Sequence, residues 1–374
     1  MNMFKRRNLL VAAALVAALL GSACASSTSA TESKSPMAVA SIASSTGSAA
    51  SYGIAQQNGT ALAVAELGAG LIDLRAYDDL STSDGGTEAM RSAISAGAST
   101  VLGPTLSPVA AIADPVAQSA GVPVLGVTNT TLDMAAIGNL IWRVSLSENA
   151  MVSASVTYAA KNKLTGSKNA VLIWEPADGY STGSAESFRA AAKANGITIT
   201  SEHEYVDGST TVASVADSAM ASSPDAVFMA LRSAIAGDFL AATASSTAVR
   251  VGGNGFNSSS IVTSAGAAAT GLIVSGSWNI GSTNARSVKF VETYTKANGV
   301  APDAFAAQGY AAIEVLVAAM KKANSTTPAA IQVALGQIGT VDTVLGSFGF
   351  GSDHEPTYSA AVQVVAGGSL TLVR

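Results

Sequence analysis

One cysteine in 374 residues, Cys24, leaves no disulfide possible within the chain. Stability therefore rests on packing. Only two histidines occur, His203 and His354, far apart and with no motif around either, so a metal cluster and a nucleophile–base pair both lack material. A dinucleotide-binding Gly-x-Gly-x-x-Gly after the first expected strand is absent too. Asp78 and Asp79 are neighbours, so on a strand they face opposite sides and do not form a carboxylate pair. Charged residues are 12% of the chain and carry no basic stripe, which excludes the electrostatic footprint of a nucleic-acid binder. An enzyme is disfavoured on all these counts.

Long hydrophobic runs are also missing. The apolar stretch Leu9 to Leu20 has 12 residues, short of the roughly 20 that a spanning helix needs. Lys5, Arg6 and Arg7 precede it and Gly21-Ser22-Ala23-Cys24 follow it, the layout of a secretory signal peptide over residues 1–23. Cys24 at the cleavage point resembles a bacterial lipobox, where the sulfur receives a diacylglyceryl group. Gly21 stands where the usual leucine would, and Gly21 and Ala23 also suit ordinary signal peptidase. A lone thiol elsewhere in an exported chain would be unusual, which favours lipidation and hence a membrane anchor. Residues 24–36, rich in Ser and Thr, read as a flexible tether. Loss of the three basic leader residues leaves 17 basic against 25 acidic residues, a net charge of −8.

The remaining 350 residues exceed what one core usually supports, so two lobes are expected. Strands are expected at 38–43, 71–77, 99–103, 123–126 and 140–144, with helices at 53–67, 86–96 and 109–119 between them. The alternation restarts with a helix at 153–161 and strands at 170–174, 197–205, 226–230 and 249–252, separated by helices at 184–195, 211–221 and 237–245. Strands alternating with helices of this length argue for α/β lobes with parallel sheets. Helices at 285–297 and 305–323 and hairpin-like strands near 347–350 and 360–373 complete the chain.

Seven stretches in this order carry a resemblance: Ser45 to Gly53, Tyr77-Asp78-Asp79, Val101 to Pro104, Gly121 to Val124 with Thr128-Asn129, Gly179 to Gly183, Gly252 to Gly255, and Pro302 to Phe305 leading into Gly309-Tyr310. Together they resemble the type I periplasmic-binding fold, and within it the leucine/isoleucine/valine-binding receptors of ABC transporters. The resemblance implies two Rossmann-like lobes joined by a multi-strand hinge, crossing near 143–147, 275–280 and 336–346. It gives residues 37–146 with 279–339 to the first lobe and 147–278 with 340–374 to the second. It further implies a monomer that closes on a small solute such as an amino acid, amide or carboxylate, a permease as partner, and no cofactor. A sensing receptor on the same fold is the competing reading, since fold alone does not fix function.

In open α/β sheets ligands sit beyond the carboxyl ends of strands. That places the loop containing Ser45, the segment Thr105-Leu106-Ser107 and the pair Thr128-Asn129 at the cleft of the first lobe. By resemblance Ser107 and Thr128 hold the ligand's carboxylate and amino group, while Tyr52, Thr105 and Leu106 line its side-chain pocket. Helix capping and turn chemistry account for Ser107 and Thr128 equally well, and Tyr52 also fits a plain packing aromatic. From the second lobe come Tyr180, Arg232 and Ser233. Arg232 reads either as the partner of a ligand carboxylate or as a solvated surface charge. Trp278 reads as a pocket wall or as a hinge-packing residue. Asn254 departs from the family, whose amino-acid binders carry an acidic residue there; Asp178 is a candidate substitute.

Overall fold

A strand covered on both faces needs apolar residues throughout, and Ala226–Ala230, with every residue buried, is one. The computed structural model describes residues 35–166 and 168–373. The expected leader, Cys24 and nearly all of the tether lie outside the described residues.

The first lobe is built from β1 (Met37–Ala43), α1 (Ala50–Leu67), β2 (Ile72–Asp78), α2 (Ser83–Ser95), β3 (Thr100–Leu102), α3 (Ser107–Ala120), β4 (Val124–Gly126) and β5 (Ile141–Arg143). Its parallel sheet has the order β2-β1-β3-β4-β5. The second lobe begins with α4 (Glu148–Asn162) and continues through β6 (Asn169–Trp174), α5 (Gly179–Ala194), β7 (Thr198–Glu204), α6 (Val212–Met220), β8 (Ala226–Ala230), α7 (Ser233–Ala242), β9 (Val249–Gly252), α8 (Ser259–Ala265) and β10 (Ile273–Gly276). The chain then returns through α9 (Ala285–Asn298), α10 (Ala304–Ala323), α11 (Pro328–Leu335), β11 (Val341–Thr343) and β12 (Gly346–Phe348), and ends in β13 (Ala361–Ala366) and β14 (Ser369–Leu372). The second sheet has the order β14-β13-β10-β9-β8-β6-β7, with β13 and β14 antiparallel to their neighbours. Its outermost strand β7 alternates exposed and half-buried residues, as an edge strand with one solvated face should.

Local chemistry sets the helix starts. Ser147 caps α4 by accepting from Ala150 N, Asp178 caps α5 through Ser181 N, and Asp303 caps α10 through Ala306 N. Helices α1 and α10 cross with backbones almost touching: a Cβ on Gly59 would lie 1.9 Å from the Ala306 carbonyl oxygen, and one on Gly309 2.2 Å from that of Gln56. Thr60 Oγ1 bridges the same crossing to the carbonyl oxygens of Gln56 and Gly309. Only glycine permits this approach, and it fixes Tyr52 and Phe305, at the starts of the two helices, in a ring stack of 4.4 Å.

The lobes are joined at residues 144–147, 277–284 and 349–360. The third crossing was expected at 336–346. Instead, β11 and β12 form a hairpin that packs on the first lobe, where Val344 and Phe348 are buried in one core with Trp142 and Leu316. Tyr358 belongs to that core as well. Of the residues expected in the second lobe beyond 340, only β13 and β14 enter its sheet. The hairpin-like strands expected near 347–350 and 360–373 belong to two separate hairpins, β11 with β12 and β13 with β14. Among the described residues no helix is long and apolar enough to cross a membrane.

Candidate functional site

The strand-end loops of both lobes meet around one cavity. Its volume is about 340 Å³ including the mouth. The first lobe supplies Tyr52, Thr105, Leu106, Ser107, Thr128, Thr130 and Phe305; the second supplies Tyr180, Arg232, Asn254 and Gly255. The lobes touch directly across it, for the Tyr52 hydroxyl donates to the Gly255 carbonyl at 2.7 Å.

Behind the first-lobe wall the hydroxyls are tied to a buried amide. Gln56 Oε1 lies 3.1 Å from Thr105 Oγ1 and 3.0 Å from Thr128 Oγ1, while Thr105 Oγ1 also accepts from Ser44 N. Ser107 Oγ accepts from Thr130 N at 3.0 Å and Thr131 N at 3.2 Å, so the start of α3 holds the loop after β4 in place. Ser107 does not cap α3, whose N-cap is Leu106 with no side-chain cap bond; its hydroxyl braces this loop instead, and the residue lines the cavity.

A carboxylate that sequence reasoning did not single out organises the second wall. Glu148, fully buried at the start of α4, accepts through Oε1 from Tyr180 Oη (3.0 Å), Ser184 Oγ (2.7 Å) and Asn254 N (3.1 Å), and through Oε2 from Thr130 Oγ1 (3.1 Å). Burial raises its pKa, and the four donors oppose that rise. Tyr180 Oη in turn accepts from Gly255 N at 2.8 Å. Glu148 shares a helix face with Met151, Val152, Ser155 and Ala159, all buried. That spacing was the available signal. Thr130 and Phe305 were also missed, although Phe305 lies in one of the stretches that carried the resemblance.

Several expected contacts fall elsewhere. Ser45 is at the outer rim, with its hydroxyl on Gln57 Oε1 and its N–H on Asp78, and does not line the cavity. Asn129 turns inward, donating to the Pro104 carbonyl. Ser233 opens α7, and its side chain lies outside what the structure describes. Trp278 is buried against Phe290 and donates to Ser287 Oγ; it borders a separate cleft with Asn257, Pro302 and Leu370. It packs in one core with Trp142, Leu146 and Phe290, next to the second crossing between the lobes. Arg232 reaches the cavity but forms an ion pair with Asp178, which also caps α5, so neither is a plain surface charge and Asp178 does not line the cavity. His203 and His354 are both outside the lining.

The profile of the periplasmic binding protein family matches residues 36–369. The chain belongs to that family. Solved structures agree with the type I periplasmic-binding fold. A leucine-binding protein from Thermotoga maritima superposes with a TM-score of 0.84 at 21% identity, covering 90% of this chain and 98% of that one. A branched-chain amino acid transporter substrate-binding protein from Streptococcus pneumoniae, in complex with isoleucine, gives 0.83 at 23%, covering 90% and 99%. A solute-binding protein of an ABC transporter from Rhodopseudomonas palustris, in complex with 3,4-dihydroxybenzoic acid, gives 0.81 at 22%, covering 91% and 97%. No curated protein matches the chain. Like other periplasmic binding proteins, it has two lobes with polar strand-end loops facing each other.

Proposed function

We propose that this periplasmic binding protein captures a small solute outside the cytoplasm and delivers it to an ABC importer through hinge closure. The observation that carries the reading is the cavity between the two lobes, roofed by the Tyr52–Gly255 hydrogen bond and walled by residues from both. A solute bound there contacts both lobes only when they are closed, so binding energy goes into closure. A micromolar dissociation constant corresponds to about −8 kcal/mol, within reach of a few hydrogen bonds and one buried apolar group. The solved neighbours include receptors of ABC transporters, which supports import over catalysis.

The proposed anchor is diacylglyceryl on Cys24, holding a monomer at the outer face of the membrane through the tether. Denaturing the purified mature protein and identifying the released small molecules by mass spectrometry tests solute capture without choosing the solute beforehand. A stoichiometric solute is expected; none released, with no thermal shift across a broad solute panel, overturns the proposal. Replacing Cys24 by Ser should move the protein from the membrane fraction to the soluble one, and an unchanged distribution would rule out the anchor.

A further inference from the structure

We infer that the solute is a carboxylate with an apolar body and no ammonium group. This rests on the solute-capture reading above and sharpens it. Among the cavity's lining residues there is no acidic side chain; the one charged group is Arg232. Two carboxylates bonded to lining residues are already committed. Asp178 pairs with Arg232 and caps α5. Glu148 is sealed behind the wall, with three donors on Oε1, and a Cβ on Gly253 would lie 2.5 Å from that oxygen, so nothing slips between. An ammonium brought into the cavity loses its water without gaining a counter-charge, which costs several kcal/mol.

The available donors suit the opposite charge. Ser107 Oγ accepts two backbone N–H groups, which occupy its lone pairs and leave its own proton to be donated. It stands at the first turn of the 14-residue helix α3, whose dipole favours an anion. Asn254, 7% exposed, accepts at Oδ1 from Asn257 Nδ2, while its own Nδ2 donates no hydrogen bond among the described residues. The stacked Tyr52 and Phe305 rings give an apolar body its contact surface.

Matched pairs isolate the ammonium: 4-methylpentanoate against L-leucine, and 3-phenylpropanoate against L-phenylalanine, titrated calorimetrically at pH 7.5. In each pair that binds, the acid lacking the amine should bind at least ~10-fold tighter, a factor set by one uncompensated charge. Asn254→Asp should reverse the order by supplying an acid at the wall. Equal affinities, or tighter binding of the amino acid to the unaltered protein, overturn the inference while leaving solute capture intact. If all four compounds are silent, the solute released on denaturation decides: a carboxylate without an amine upholds the class, and an amine-bearing solute refutes it. Silence with no released solute and no thermal shift across the broad panel overturns solute capture itself, and the class with it; a panel solute that binds decides the class by the same criterion.

Discussion

Truncating Glu148 is the sharpest perturbation the structure offers. Glu148→Ala strands four donors in a fully buried place: the Tyr180, Ser184 and Thr130 hydroxyls and the Asn254 backbone N–H. Hydroxyls can rotate to other acceptors, whereas the Asn254 amide cannot. An orphaned buried donor costs about 1–3 kcal/mol and each lost neutral hydrogen bond about 0.5–1.5 kcal/mol. Removing a buried carboxylate returns part of that cost, so a net loss of about 3 kcal/mol is expected. Glu148→Gln keeps an oxygen for the three donors on one side, and Thr130 can turn its hydroxyl to accept on the other, so less than about 1 kcal/mol should be lost. Burial raises the folded pKa of Glu148 above its ordinary value of 4.5. Its contribution to stability is therefore complete below about pH 4.5 and declines as pH rises through the folded pKa. The Gln variant lacks that decline, so it should gain on the parent as pH increases. Urea unfolding followed by tryptophan fluorescence at pH 4.5 and pH 8 measures both effects. An Ala variant within 1 kcal/mol of the parent, or a Gln variant as weak as the Ala one, would refute the hub.

Asp114 is fully buried in α3 with neither carboxylate oxygen hydrogen-bonded among the described residues, and burial holds its pKa well above the ordinary 3.8. Its favourable contribution is present below pH 3.8 and lost as pH rises, so Asp114→Leu should stabilise by about 1–3 kcal/mol at pH 7, with a smaller gain near pH 4, in urea titrations at the two pH values. A gain that shrinks with rising pH would count against it. Gly309→Ala should push α10 away from α1 and destabilise by about 1–3 kcal/mol in the same assay, with weaker solute binding because Tyr52 and Phe305 shift together. Tyr52→Phe keeps the ring stack but removes the interlobe hydrogen bond, worth about 0.5–1.5 kcal/mol, so solute affinity should fall up to ~10-fold by calorimetry. An unchanged affinity would mean that this bond does not favour closure.

Where one element decides its own form, the sequence was legible. Ala226–Ala230 is apolar throughout because helices cover both faces, and the strand was read at those bounds. Gly196 follows α5 with φ of +65°, the left-handed stop that glycine admits, and the helix was read to end at the residue before it. No strand was read at Ile273–Gly276, and the crossover was placed at 275–280, because four residues ending in Ser-Gly carry little periodicity; the identity of β10 comes from pairing with β9 and β13. The hairpin of β11 and β12 misled for the same reason, since its three-residue strands draw their place from the first-lobe core. At the site, strand-end position and family likeness pointed to Tyr52, Ser107, Thr128 and Tyr180, all of which line the cavity. The Arg232–Asp178 pair and the Glu148 hub were not legible in this way, because their partners lie tens of residues away and meet only through the sheet order.

Two of the three connecting strands are not independent. Arg143 pairs with Glu355, Trp142 stacks on His354 at 3.7 Å, and Tyr358 Oη donates to the Val144 carbonyl at 2.9 Å. The second bridge joins them, because Leu146 N donates to Ser277 Oγ at 3.4 Å. All three crossings thus run as one bonded bundle. In the closure proposed above, the lobes would bend about that bundle, and Tyr52 would return to Gly255.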